Sequence, residues 1–159
     1  MAAKAPLPET VSTYPAANSD SANSVDFGRI FKQLPLPHMI LDHELRYVEA
    51  NDAYCRLLQR DRRELIGRPI FECFPETPER EAAVRRALEA GLRGEEAWLD
   101  RIAFRVQEAD GSWREGIWEA HHMPVYDHAG RIVGVTQKTV DVSAQVALER
   151  MRDTIVREL

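Results

Sequence analysis

Cysteine is scarce in this 159-residue chain, with only Cys55 and Cys73. Neither their number nor their spacing suits a disulfide framework or a zinc site, so a reducing, cytoplasmic setting is the expectation. Long apolar runs are missing as well. No segment approaches the roughly 18 apolar residues of a membrane span, and residues 1–24 carry no apolar core of a secretory signal. A soluble chain is expected. Positive charge is not in excess: 21 Lys and Arg stand against 26 Asp and Glu, a net charge of −5 that argues against a nucleic-acid-binding surface. Internal repeats are absent too. No phosphate loop, metal-ligand spacing or activated nucleophile accompanies the carboxylates and histidines.

What is present suits one ordinary core, since 159 residues of which 44% are hydrophobic are too few for two comfortable ones. Met1 to Ser24 is rich in Ala, Ser, Pro, Thr and Asn and cannot offset its ordering entropy by burial, so residues 1–24 are expected to form a disordered arm. The folded domain is expected over 25–142, followed by a separate helix over 143–159.

Within the domain, Asp26 caps a short helix whose apolar residues Phe27, Ile30, Phe31 and Leu34 have helical spacing. Residues 37–42 and 45–50 read as a hairpin around His43-Glu44. Asn51 is a helix N-cap ahead of the stripe Ala53, Tyr54, Leu57 and Leu58. A second short helical piece ends at Leu65-Ile66, stopped by Gly67. After a connector over 67–76, a longer helix starts with Pro78 in its first turn and is expected to stop at Gly91 or Gly94. Three strands follow, over 98–107, 112–125 and 131–142. They are joined by turns at Asp110-Gly111 and Asp127 to Gly130, where glycine supplies the positive φ of a tight hairpin. After Asp141-Val142-Ser143 the pattern turns helical.

Several short motifs stand in this order: Asn51-Asp52-Ala53-Tyr54, Leu65 to Phe71, Asp110-Gly111-Ser112-Trp113, Met123-Pro124-Val125, Ile132 to Val135, and Asp141-Val142-Ser143. Their order and spacing resemble the PAS domain over about residues 26–143. The resemblance implies an α+β fold: a five-stranded antiparallel sheet with helices packed on one face, flanked by an N-terminal and a C-terminal helix. It further implies a sensory or dimerising module of a cytoplasmic signalling protein, with an effector such as a histidine kinase beyond the exit helix.

Candidate ligand-binding residues are Asn51, Tyr54, Phe71, Phe74, Phe104, Trp118 and His122. The aromatic members, with Trp98, could line a small-molecule pocket between sheet and helices, or simply fill the core. Strand alternation places Trp118, Ala120, His122 and Pro124 inward and Ile117, Glu119 and His121 outward, because the reverse would bury Glu119 without a partner. Asn51 reads first as a helix cap and only second as a ligand contact. Flavin and haem are both unexpected. Cys73 falls in the connector where flavin-binding photosensory PAS domains carry their reactive cysteine, but that family's Asn-Cys-Arg-Phe-Leu-Gln motif is missing. The helix from Pro78 to Leu92 has no histidine where haem-binding PAS domains often supply one. No metal site and no intrinsic catalysis are expected: Asp100, Glu119, His121 and His122 lack accompanying machinery, and Glu119 and His121 share the outer face.

In the exit helix, Leu148, Met151, Ile155 and Leu159 recur at 3-4-4 spacing among charged residues. Such a stripe needs a cover, and a twin helix in a parallel coiled coil supplies one simply, which predicts a homodimer. The alternatives are packing of the helix back on its own sheet and, for the whole domain, a ligand-free interaction module with a filled core.

Overall fold

The computed structural model describes residues 24–159, so the expected disordered arm lies outside the described residues except for Ser24. The elements in chain order are α1 (Phe27–Gln33), β1 (His38–Leu41), β2 (Tyr47–Ala50), α2 (Asp52–Leu58), α3 (Arg62–Leu65), α4 (Ile70–Cys73) and α5 (Pro78–Leu92). Then come β3 (Ala97–Gln107), β4 (Trp113–Tyr126), β5 (Ile132–Asp141) and α6 (Ser143–Glu158). The five strands form one antiparallel sheet in the order β2-β1-β5-β4-β3. This is the α+β architecture expected from the pattern, with the turn glycines Gly111 and Gly130 at φ 84° and 78°.

Local chemistry explains the starts and stops. Asp26 accepts from the Arg29 amide at 2.9 Å and opens α1, while Asp61 and Glu64 form a reciprocal capping box on α3. Thr77 caps α5, and Pro78 occupies its first turn. The helix runs through Gly91 to Leu92 and gives way only at Gly94, whose φ is 90°. Gly91 is there for packing: a Cβ on it would collide with Val135 of β5, so its absence lets helix and sheet approach.

The core lies between the sheet and helices α2 to α5. Met39 and Leu41 of β1, Tyr47 of β2, Leu65, Leu88 and Val135 are at most 1% exposed. Each such side chain contributes about 1.5–3 kcal/mol by burial. The connector is not wholly irregular, since Ile70 to Cys73 make a helical turn that the sequence reading missed and that buries Ile70 and Cys73.

One expectation fails on the edge strand. Trp98, grouped in sequence with the core aromatics, is 59% exposed. The β3–β4 register shifts between Leu99 and Ile102, where Arg101 adopts φ 51°. That bulge reverses the alternation. Before it Trp98 pairs with His121, and after it Phe104 pairs with Gly116. Trp98 therefore lies with His121 on the outer face, and the two rings stack with centroids 3.6 Å apart.

Candidate functional site

Between the inner face of the sheet and α2, α4 and α5 lies a mostly apolar cavity of about 70 Å³. The short helices are what open it. Ile70, Phe71 and Phe74 come from α4 and its end, Tyr54, Leu57 and Leu58 from α2, and Val84 from α5. The sheet supplies Phe104, Val106, Trp118, Gln137 and Thr139.

Five of the seven expected pocket residues, Tyr54, Phe71, Phe74, Phe104 and Trp118, line this cavity, and Asn51 and His122 do not. Asn51 is fully buried with its amide committed elsewhere. Its Oδ1 accepts from the amides of Tyr54 at 2.9 Å and His38 at 3.0 Å, and its Nδ2 donates to the Leu36 carbonyl at 2.9 Å. It fastens the start of α2 to the entry of β1. His122 points inward as alternation requires and is fully buried, but it stands behind the wall. Its Nε2 donates to Gln137 Oε1 at 2.9 Å, and the Gln137 amide donates onward to Thr139 Oγ1 at 2.8 Å. Burial pulls the imidazole below its ordinary range, so it is neutral at neutral pH.

Several lining residues escaped the sequence reading. Gln137 and Thr139 are signalled by alternation along β5, where Val135, Gln137 and Thr139 share the inner face. Glu76 carried no such signal, because only the tertiary fold turns a connector carboxylate inward. Its side chain is 6% exposed, and Arg80 approaches it at 3.5 Å. A second buried polar pair also went unread: Tyr47 and Tyr54 join their hydroxyls at 2.7 Å, and burial raises both phenols.

Cys73 is 3% exposed and packs in the core, not on the cavity wall; burial pushes its thiol up, away from the reactive thiolate. Glu119 and His121 lie outward, with His121 hydrogen-bonded to Glu96 at 3.0 Å and covered by Trp98. No cluster of three or more metal-ligating side chains occurs among the described residues. No helix among them is long and apolar enough to cross a membrane.

Trp118 of the cavity wall lies close to the root of the exit helix, since a Cβ on Gly116 would stand near both its Nε1 and Ser143 Oγ. The Ile117 amide donates to Ser143 Oγ at 2.9 Å, and the Val142 amide donates to the Ile117 carbonyl at 2.8 Å. Nearly two turns further, Arg101 at the bulge grips Glu149 with two bonds of 2.7 and 3.0 Å, holding that carboxyl down at about 2. Beyond Val146, which is buried, the helix leaves the domain. Leu148, Met151, Ile155 and Leu159 are each more than half exposed, so α6 does not fold that stripe back on its own sheet.

Residues 31–147 match a family profile described as the PAS fold. No curated protein matches the chain significantly. Among solved structures, an RNA-binding light-oxygen-voltage receptor is similar at 22% identity and TM-score 0.63, over 84% of this chain and 37% of that one. VqmA of Vibrio cholerae, solved with ligand and DNA, is 26% identical with TM-score 0.57, over 76% of this chain and 53% of that one. A PAS domain from Colwellia psychrerythraea is 16% identical with TM-score 0.57, over 74% of this chain and 95% of that one. The chain thus spans 37% and 53% of the first two, well short of their full lengths.

Proposed function

Because the chain belongs to the PAS family, we propose that it is a sensory module in which a small molecule held in the central cavity biases the exit helix α6, and through it an effector such as a histidine kinase. One observation carries the reading: Trp118 forms part of the cavity wall and also crowds the residue beside which α6 begins. A Cβ built on Gly116 would stand 2.9 Å from Trp118 Nε1 and 3.3 Å from Ser143 Oγ. An occupant that shifts the indole therefore presses on the anchor of the helix. Close-packed interiors transmit such displacements instead of absorbing them.

The readout is a dimer. Leu148, Met151, Ile155 and Leu159 form an uncovered stripe on α6, and a parallel twin helix covers it most simply. VqmA, whose structures are described as a dimer and as a ligand–DNA complex, supports a liganded, dimeric PAS module. Its DNA partner is not carried over, given the net charge of −5 here. Catalysis is assigned to the effector and not to this module.

Native mass spectrometry of protein purified without denaturants tests the proposal. A dimer carrying a stoichiometric extra small-molecule mass is expected. A bare monomer, unchanged by incubation with cell extract metabolites, would overturn it.

A further inference from the structure

Beyond Val146 the exit helix keeps one polar tie to the domain among the described residues, the pair between Arg101 of β3 and Glu149 of α6. Arg101 is delivered to it by an irregularity. Asp100 and Arg101 stand between the pairs Leu99–Ala120 and Ile102–Trp118, so two residues of β3 oppose the single residue Glu119 of β4, and Arg101 takes φ 51° to fit. A residue with a side chain is held in that region only where its surroundings impose it, and such strain gathers at the working parts of a protein.

The contact at the end of this strained residue is directional. Nη1 and Nη2 donate to the two carboxylate oxygens of Glu149 at 2.7 and 3.0 Å, a planar fork on a planar acceptor that fixes angle as well as distance. Glu149 Oε1 also accepts from Gln145 Nε2 on the same flank of the helix at 3.1 Å. Glu119 and Asp100 also act on Arg101, and Arg152 acts on Glu149. The Arg152 guanidinium is bonded to Asp153, so the fork and the Glu149 carboxylate serve each other.

Helical geometry gives the tie its consequence. Leu148, Ile155 and Met151 stand about 100°, 120° and 160° around the helix from Glu149, all in the same sense. Val146, which is buried against the domain, lies about 60° away in the other sense. Holding Glu149 against β3 therefore turns the apolar stripe away from the sheet. Without that hold, only the root at Ser143 and Val146 sets the rotation of the helix. Resting on the reading of α6 as a dimerising output, we propose that Arg101 is the positioning residue of that output: it fixes the rotation of α6 about its own axis, so that the stripe faces its twin. The pair's side chains are 45% and 32% exposed. Such a pair adds little to stability, and its contribution lies in direction, a bias of about fivefold between rotational settings.

Disulfide trapping on the full chain tests this, with single cysteines placed on the stripe (Met151→Cys or Ile155→Cys) or off it (Arg152→Cys or Val156→Cys). The background carries Cys55→Ser, and Cys73 is buried. In this parent protein, cross-linking between protomers should be greater at the two stripe positions. Arg101→Gly removes the fork while suiting the positive φ of the bulge, and Glu149→Gln removes the charge while leaving β3 intact. Each is expected to cut the preference for the stripe about fivefold, with the dimer and the unfolding midpoint nearly unchanged. If both variants keep the parent's pattern, or the parent cross-links equally at all four positions, Arg101 does not orient α6 and this inference fails while the dimer reading stands. If no position cross-links and the parent sediments as a monomer, the dimer reading fails and the inference falls with it.

Discussion

Gly116 and Trp118 stand so close on the inner face of β4 that a Cβ on the glycine would lie 2.9 Å from the indole Nε1. The glycine is therefore required by its neighbour and not by its backbone. Gly116→Ala should displace the indole, the Ser143 hydroxyl or both, and destabilise the domain by about 1–3 kcal/mol, the usual range for overpacking. Chemical denaturation of wild type and variant reads this directly, and an unchanged midpoint would mean that the junction has slack.

A second prediction concerns acid. Burial holds the His122 imidazole below its ordinary value of 6.5, whereas in the unfolded chain it titrates near that value. Between the two, the unfolded state binds more protons, so stability is fully present above about pH 6.5 and falls as pH drops below it. The slope is at most about 1.4 kcal/mol per pH unit. Unfolding curves at about pH 7.5 and about pH 5.5 should show a smaller difference for His122→Gln than for wild type, and equal differences would refute the assignment.

The purified protein should show no flavin or haem absorbance. Cys73 lies in the core away from the cavity wall, and α5 carries no histidine. A stoichiometric visible band from either cofactor would contradict this.

Much of the fold was legible because its signals are local. Turn glycines at 111 and 130, the caps Asp26 and Asn51, and the change of period after Asp141 each act within a few residues. The face of Trp98 was not, because the Arg101 bulge that reverses the alternation has no sequence mark. Arginine at positive φ is imposed by the sheet. The aromatic wall of the cavity could be listed from sequence, and alternation along β5 marks Gln137 and Thr139, but Glu76 becomes buried, and His122 retreats behind Gln137, only through contacts between distant segments.

Dimerisation should depend on the α6 stripe. Leu148→Asp with Ile155→Asp is expected to weaken self-association tenfold or more, since it places four charges in each twin interface. The circular dichroism of the domain should barely change, because both residues are more than half exposed. Sedimentation velocity distinguishes the outcomes. A monomeric wild type, or a dimer indifferent to the double substitution, would remove α6 as the coupling element.

Hydrogen–deuterium exchange along α6 in Trp118→Leu tests the central claim most directly, because it perturbs the cavity wall without touching the helix sequence. If the indole supports the Gly116–Ser143 junction, amides of the first two turns of α6 should lose protection while those of β1 and α2 keep theirs. Uniform loss across the domain, or no change in α6, would contradict a route from cavity to exit helix through Trp118.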